Sequence, residues 1–175
     1  MAGQNFSKRL GEPTDNATLP WQMTLHEKRW KLTVTLEGIP DAQQRFIWLV
    51  EQGRALEPLP DEDKVDAHRV QGCLAKLWLI TEFREGKCWF RCDSDSQIVR
   101  AVAGLLCGFY NGHPPDEILM TPPDFLSALG IAEHLTPNRR NALGRVWETI
   151  RNFAEKSGGS AVSVPPAANA FSRRS

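Results

Sequence analysis

From Asp41 to about Leu56 the apolar residues recur at helical spacing, with Phe46, Leu49 and Val50 on one face and Trp48 near its edge. Pro40-Asp41 opens this predicted helix, and Glu57-Pro58-Leu59-Pro60 stops it. An acidic, polar stretch, Asp61-Glu62-Asp63-Lys64, leads to the turn Val70-Gln71-Gly72-Cys73. A strand-like run then extends from Leu74 to about Phe83, and Arg84-Glu85-Gly86 supplies a turn. The run Lys87-Cys88-Trp89-Phe90-Arg91-Cys92 follows, with Cys88, Phe90 and Cys92 on one face and Lys87, Trp89 and Arg91 on the other. These two segments predict a β-hairpin.

The period then returns to that of a helix. Ser94-Asp95-Ser96-Gln97 has the Ser-x-x-Gln form of a capping box, and Ile98, Val99, Val102, Leu105, Leu106 and Phe109 follow it. Arg100 is the only charged residue from Ile98 to Phe109, so this helix is expected to be nearly enclosed. Asn111-Gly112 ends it, and Pro114-Pro115 prevents its continuation. Two short helical pieces are expected around 116–120 and 123–129, with Gly130 as a stop. Thr136 as N-cap and Pro137 at the first helical position begin a last helix, whose buried stripe is Leu143, Val146, Trp147, Ile150 and Phe153.

Outside that region the patterning weakens. Trp30-Lys31-Leu32-Thr33-Val34-Thr35-Leu36 alternates apolar and polar, which predicts a short strand or an extended arm. Residues 1 to about 20 show neither period. From Ser157 the tail is rich in Gly, Ser, Ala and Pro and cannot bury much apolar area. The expected organisation is a poorly ordered or partly extended N-terminal extension over 1–38, one domain over 39–156, and a disordered tail over 157–175.

Composition narrows the classes. The chain has 175 residues, 41% hydrophobic and 24% charged, as in an ordinary globular protein with a real core. Its 21 Lys and Arg balance 21 Asp and Glu, which argues against nucleic acid as the main partner. Met1-Ala2-Gly3-Gln4-Asn5 lacks the charged start and apolar run of a secretory signal, and no segment holds the roughly 18 consecutive apolar residues of a membrane span. A cytoplasmic protein with reduced thiols is expected.

In that setting the four cysteines are weighed one at a time. Cys88 and Cys92 sit four residues apart along one strand, about 13 Å at 3.3 Å per residue. Two sulfurs on one zinc lie within about 4 Å of each other, so core filling is expected and metal is not. Cys107, inside the enclosed helix, is explained by close packing. Cys73 is the only cysteine in a turn, at the mouth of a strand, where a thiol can meet another molecule; cysteine chemistry needs such access and a favourable thiolate fraction. Position alone divides evenly between a reactive thiol and an inert one.

The histidines show no ligand spacing. His68 is five residues before Cys73 and reads as a loop residue, as does His113 before Pro114. Arg139 and Arg140 occupy the first turn of the last helix, where the positive end of the helix dipole disfavours cations. A cation placed there against that preference can have a partner elsewhere. An Arg139 near Cys73 would stabilise its thiolate.

With these residues in hand, the stretch from about Asp41 to Phe153 resembles the SufE family of sulfur acceptors. Gln44-Arg45-Phe46-Ile47-Trp48-Leu49-Val50-Glu51-Gln52-Gly53-Arg54-Ala55-Leu56 resembles the family's first helix, and Leu59-Pro60 its following loop. Val70-Gln71-Gly72-Cys73 resembles the active-site turn, with Leu77-Trp78-Leu79 as the strand after it. Asp93-Ser94-Asp95-Ser96 with Ile98-Val99 resembles the start of the central helix, and His134-Leu135-Thr136-Pro137-Asn138-Arg139 the turn into the last one. The order and spacing of these pieces together carry the likeness.

The resemblance implies an α/β (α+β) fold shared with the U-type cluster scaffold: a three-stranded antiparallel sheet packed against helices. It implies that Cys73 is the persulfide-forming nucleophile, that Arg139 lies close to it, and that Val70, Leu74 and Leu77 line an apolar hollow from which the thiol swings out. The implied partners are a pyridoxal-phosphate cysteine desulfurase of SufS/CsdA type and an iron–sulfur scaffold of SufBCD type. No cofactor or metal of its own is implied, and the chain would be a monomer or weak homodimer. Where the family has Gln-Ser-Gln after the cysteine, this chain has Leu74-Ala75-Lys76. Two rival readings stand beside it: a non-catalytic module that activates a desulfurase by docking, and a metal or cluster scaffold using Cys73 with a histidine.

Overall fold

The structure, a computed structural model, describes residues 23–158. The readings of residues 1–22 and of the tail beyond Gly158 lie outside the described residues. Among the described residues there are six α-helices, three one-turn 3-10 helices and one hairpin; the main elements are α1 (Leu25–Glu37), α2 (Ala42–Arg54), β1 (Leu77–Arg84), β2 (Lys87–Ser94), α3 (Gln97–Tyr110), α4 (Pro115–Met120), α5 (Phe125–Ala128) and α6 (Pro137–Gly158). None of these helices is long and apolar enough to cross a membrane.

The hairpin forms where the alternation predicts it. Leu77 pairs with Ser94 and Arg84 with Lys87, and Glu85 and Gly86, with φ of 52° and 74°, make a two-residue turn that matches the twist of the strands. The sheet has two strands, not the three expected. At each edge the third strand shrinks to one isolated bridge, Arg69 with Trp78 on one side and Cys88 with His113 on the other. The first strand starts at Leu77 and not at Leu74. Gly72, at a φ of 79°, turns the chain out of the extended region just ahead of it.

Trp30–Leu36 is also not extended. It lies within α1, which a capping box starts: the Glu27 amide donates to Thr24 Oγ1, and the Thr24 amide donates to Glu27 Oε2. Such a start is worth about 1 kcal/mol, enough to tip an ambiguous segment. Leu25, Leu32 and Leu36 then share a helical face, with Leu25 and Leu36 fully buried. Lys28 lies among them and donates to the carbonyls of Gly108, Phe109 and Asn111, the unpaired oxygens at the end of α3.

The helix α3 is the axis of the core. Nine of its residues are buried, as the enclosed pattern predicts, and it packs on α2, β2 and α6. Its cap is Ser96 and not Ser94: the Val99 amide donates to Ser96 Oγ, while Ser94 Oγ donates to the Lys76 carbonyl. The approach of α2 needs Gly53, because a Cβ there would lie 2.2 Å from Ala101. The expected stripe of α6 is inward, with Leu143, Val146, Trp147 and Ile150 buried and Phe153 edge-on to Phe90. It is this stripe that sets α6 beside the turn at Cys73.

Candidate functional site: the Cys73 turn

Cys73 lies between the bridge at Arg69 and the first residue of β1. The turn is tied down at both ends: the Val70 amide donates to the Leu77 carbonyl, and the Lys76 amide to Asp95 Oδ1. Between these points one side chain holds it, Asn141 of α6, whose Nδ2 donates to the Gly72 carbonyl at 2.9 Å. Glycine at position 72 serves two needs. It accepts the left-handed φ, and a Cβ there would stand 3.2 Å from Arg145 Nε. Val70 and Leu77 are buried below the turn, and half-buried Cys73 packs against the edge of the core they belong to. Leu74 does not join this lining; it is 80% exposed.

Burial pushes the Cys73 thiol above its ordinary pKa, and the guanidiniums of Arg145 and Arg69 pull in the opposite direction. At rest the group is therefore a protonated thiol at neutral pH. Arg139 is not among the charges acting on it; its side chain borders a narrow seam with Ile98, Leu135 and Ala142. Arg145 also pairs with Glu148 at 2.9 Å, which holds its guanidinium over the turn.

The family model described as the SufE Fe-S metabolism associated domain matches residues 31–154. The chain belongs to the SufE family. An uncharacterized SufE-like protein of Synechocystis is 32% identical over 139 residues, 79% of this chain and 84% of the relative. The chloroplastic/mitochondrial SufE-like protein 1 of Arabidopsis thaliana is 30% identical over 131 residues, which is 74% of this chain but 35% of that longer protein. A solution structure of a hypothetical protein from Thermus thermophilus shares the fold, with a TM-score of 0.64 and 24% identity over 79% of this chain and all of that one. Membership of the SufE family puts the chain in iron–sulfur metabolism.

Within this SufE domain the other cysteines are sealed. Cys88 is fully buried, and burial pushes its pKa up to about 11. Cys92 and Cys107 face one another between β2 and α3, and the Cys107 thiol, hydrogen-bonded to Cys92 and enclosed, is raised well above its ordinary value. The sequence placed both on inward faces, yet their meeting depends on the register of strand against helix, which periodicity does not carry. Among the described residues no group of three or more His, Cys, Asp and Glu gathers at metal-binding distance.

Three of the four histidines have partners other than the thiol. His68 Nδ1 bonds to the Asp63 carbonyl at 2.8 Å, and the His134 ring lies 5.9 Å from Phe46. His113 lies in the connection between α3 and α4, as expected, but it is buried there: it is 2% exposed, and its Nδ1 lies 2.7 Å from Glu117 Oε2. Sequence reasoning missed Asn141 and Arg145. They stand four residues apart on one face of α6, a spacing visible in the chain, but nothing in it says that this face meets the turn. It also missed the hub at Asp93. That buried carboxylate meets Lys64 at 3.2 Å and Arg100 at 3.4 Å and accepts from the Leu59 amide, fastening the loop that holds Leu59 and Lys64 to β2 and α3.

Proposed function

We propose that this SufE-family chain is a sulfur carrier: Cys73 takes persulfide sulfur from a pyridoxal-phosphate cysteine desulfurase, stimulates that enzyme, and passes the sulfur to an iron–sulfur scaffold. The observation that carries the reading is the contrast in burial. Cys73 alone of the four thiols is half-buried, on a turn beside an exposed Leu74, with two guanidiniums in reach. The exchange needs no outside oxidant. Cys73 thiolate attacks the terminal sulfur of the donor persulfide, a new S–S bond forms, the donor's S–S bond breaks, and its electron pair leaves on the donor thiolate.

The resting state suits storage better than attack. Burial keeps the thiol protonated, whereas a turn drawn outward by a docked partner would lose that penalty and keep the field of Arg145 and Arg69. The arginine role that the resemblance gives to Arg139 falls, in this reading, to Arg145 and Arg69.

The test is to incubate the chain with a cysteine desulfurase and cysteine and map the adduct by mass spectrometry. A persulfide on Cys73, absent in Cys73→Ser, supports a carrier. Full stimulation of the desulfurase by Cys73→Ser would support a docking module instead.

A further inference from the structure

Away from the thiol, α1, α2 and α3 leave a cavity of about 450 Å³ between them. That lies in the range of small-molecule sites, about 300–1,000 Å³. Its walls are apolar. Leu32, Trp48 and Leu105 are only partly buried although each packs against the core, and Phe109 lies beneath them. Gly108 opens one side: a Cβ there would meet nothing within 4 Å.

The rim is cationic. Lys28 and Lys31 stand one helical turn apart at the cavity's edge. Lys28 already spends its donors on three carbonyls, and burial lowers its pKa to about 8, so its charge is poorly solvated. Glu117 acts on it, but that carboxylate is bonded to the His113 ring and to the Leu25 amide. Lys31 is exposed, and no ion pair of its ammonium is among those found in the described residues. An anion at this rim would meet the exposed Lys31 ammonium and the field of Lys28, which Glu117 offsets only in part.

We propose that this cavity binds a medium-chain monocarboxylate, with the hydrocarbon chain between Leu32, Trp48, Leu105 and Phe109 and the carboxylate at Lys31 and Lys28. Size supports the class: at about 30 Å³ per heavy atom, the space holds on the order of 15, enough for a ten-carbon acid. Charge decides the head group: Lys31 has no ion pair among the described residues, and Lys28, held on the α3 carbonyls one turn away, adds a second positive charge beside it. The site is separate from the Cys73 turn and does not rest on the sulfur-carrier reading.

The test is calorimetric titration of the full chain with decanoate and with decanol. Decanoate is expected to bind one to one with a Kd on the order of 10 µM, and decanol about fivefold more weakly. Gly108→Leu fills the cavity from a position with room for its side chain and improves a helical residue, so it should fold and abolish both heats. Lys31→Glu, on the surface, should weaken decanoate about tenfold and leave decanol unchanged. Three results would each overturn the proposal: no saturable heat with decanoate, equal affinities for the acid and the alcohol, or wild-type binding by Gly108→Leu.

Discussion

Cys73 stands where the chain enters the hairpin, and Cys88 stands beside the hairpin's turn. Around Cys73 the backbone is held at its ends and, in between, by a single side-chain amide from Asn141. Around Cys88 the pairing with Phe83 on β1 is matched on the other edge, where the Cys88 amide donates to the His113 carbonyl and the Gly112 amide donates back to Cys88. One region can release its residue by breaking little. The other must give up a ladder on both sides and an apolar core. Thiol reactivity in this molecule is therefore expected to follow the bonding of the backbone that carries each sulfur, as well as each thiol's acidity.

Native-state alkylation is the sharpest way to break that comparison. With iodoacetamide at pH 8, Cys73 should react first, and Cys88, Cys92 and Cys107 should react only through unfolding. For a fold worth 5 kcal/mol or more the gap is about 10³-fold or greater. Peptide mapping over time measures it. Comparable labelling of Cys88 and Cys73 in the native protein would end the distinction.

Asp93→Ala should have the next largest effect, on the sealed side only. It leaves Arg100, Lys64 and the Leu59 amide without their shared carboxylate. The cations left behind are partly exposed, so the cost is that of the unpaired buried amide and the carboxylate's other partners, about 1–3 kcal/mol, read as a lower urea midpoint. The loop at 56–60 lines one cavity with Cys92 and Cys107 and is bonded to this hub through the Leu59 amide, so those two thiols should become easier to alkylate once it is released. Labelling of Cys73 should stay as it was. If Cys73 changes in step with the others, the two regions open as one unit.

Arg145→Gln addresses the exposed side. Loss of the guanidinium removes a charge that lowers the thiol's pKa, so alkylation at pH 8 should slow about two- to fivefold, the scale of a partly exposed ion pair. Arg139→Gln should leave the rate unchanged. The opposite ranking would return the role to Arg139.

Where sequence reading succeeded, one strong period governed a segment with no rival. The stripe of α6, the enclosure of α3 and the inward face of Cys88, Phe90 and Cys92 are of this kind. The segment α1 misled because Trp30–Leu36 alternates and carries β-branched residues, while its helical face depends on Lys28 pointing inward. An inward lysine makes sense only once the carbonyl ends of α3 are placed beneath it. The Cys73 turn was legible through Gly72. Its cations were not, because which of Arg139 and Arg145 faces the turn is set by the rotation of α6 about its axis, and that is a tertiary fact. The third strand came from resemblance, and here only two single bridges stand in its place.

The smallest expected effect is acid sensitivity of the sealed side through His113. Glu117 accepts from its Nδ1, so the neutral ring leaves Nε2 as the unprotonated nitrogen, buried without a partner. A proton added there would put a charge and a donor into an enclosed site. Burial accordingly lowers the pKa of His113 from 6.5, with the field of Lys28 and Lys87 in the same direction and Glu117 opposing. As pH falls past about 6.5 the unfolded chain takes up this proton before the folded one does. The contribution to stability is thus complete above 6.5 and is lost as pH drops toward the lowered folded value. Urea midpoints measured from pH 7.5 to 5.5 should decline, and His113→Gln should flatten the decline. Since the His113 carbonyl holds Cys88, the wild type near pH 5.5 should also lose exchange protection at the Cys88 amide, with the Cys73 turn unaffected. A slope that His113→Gln does not alter would move the acid sensitivity to another group and leave the seal at Cys88 to packing alone.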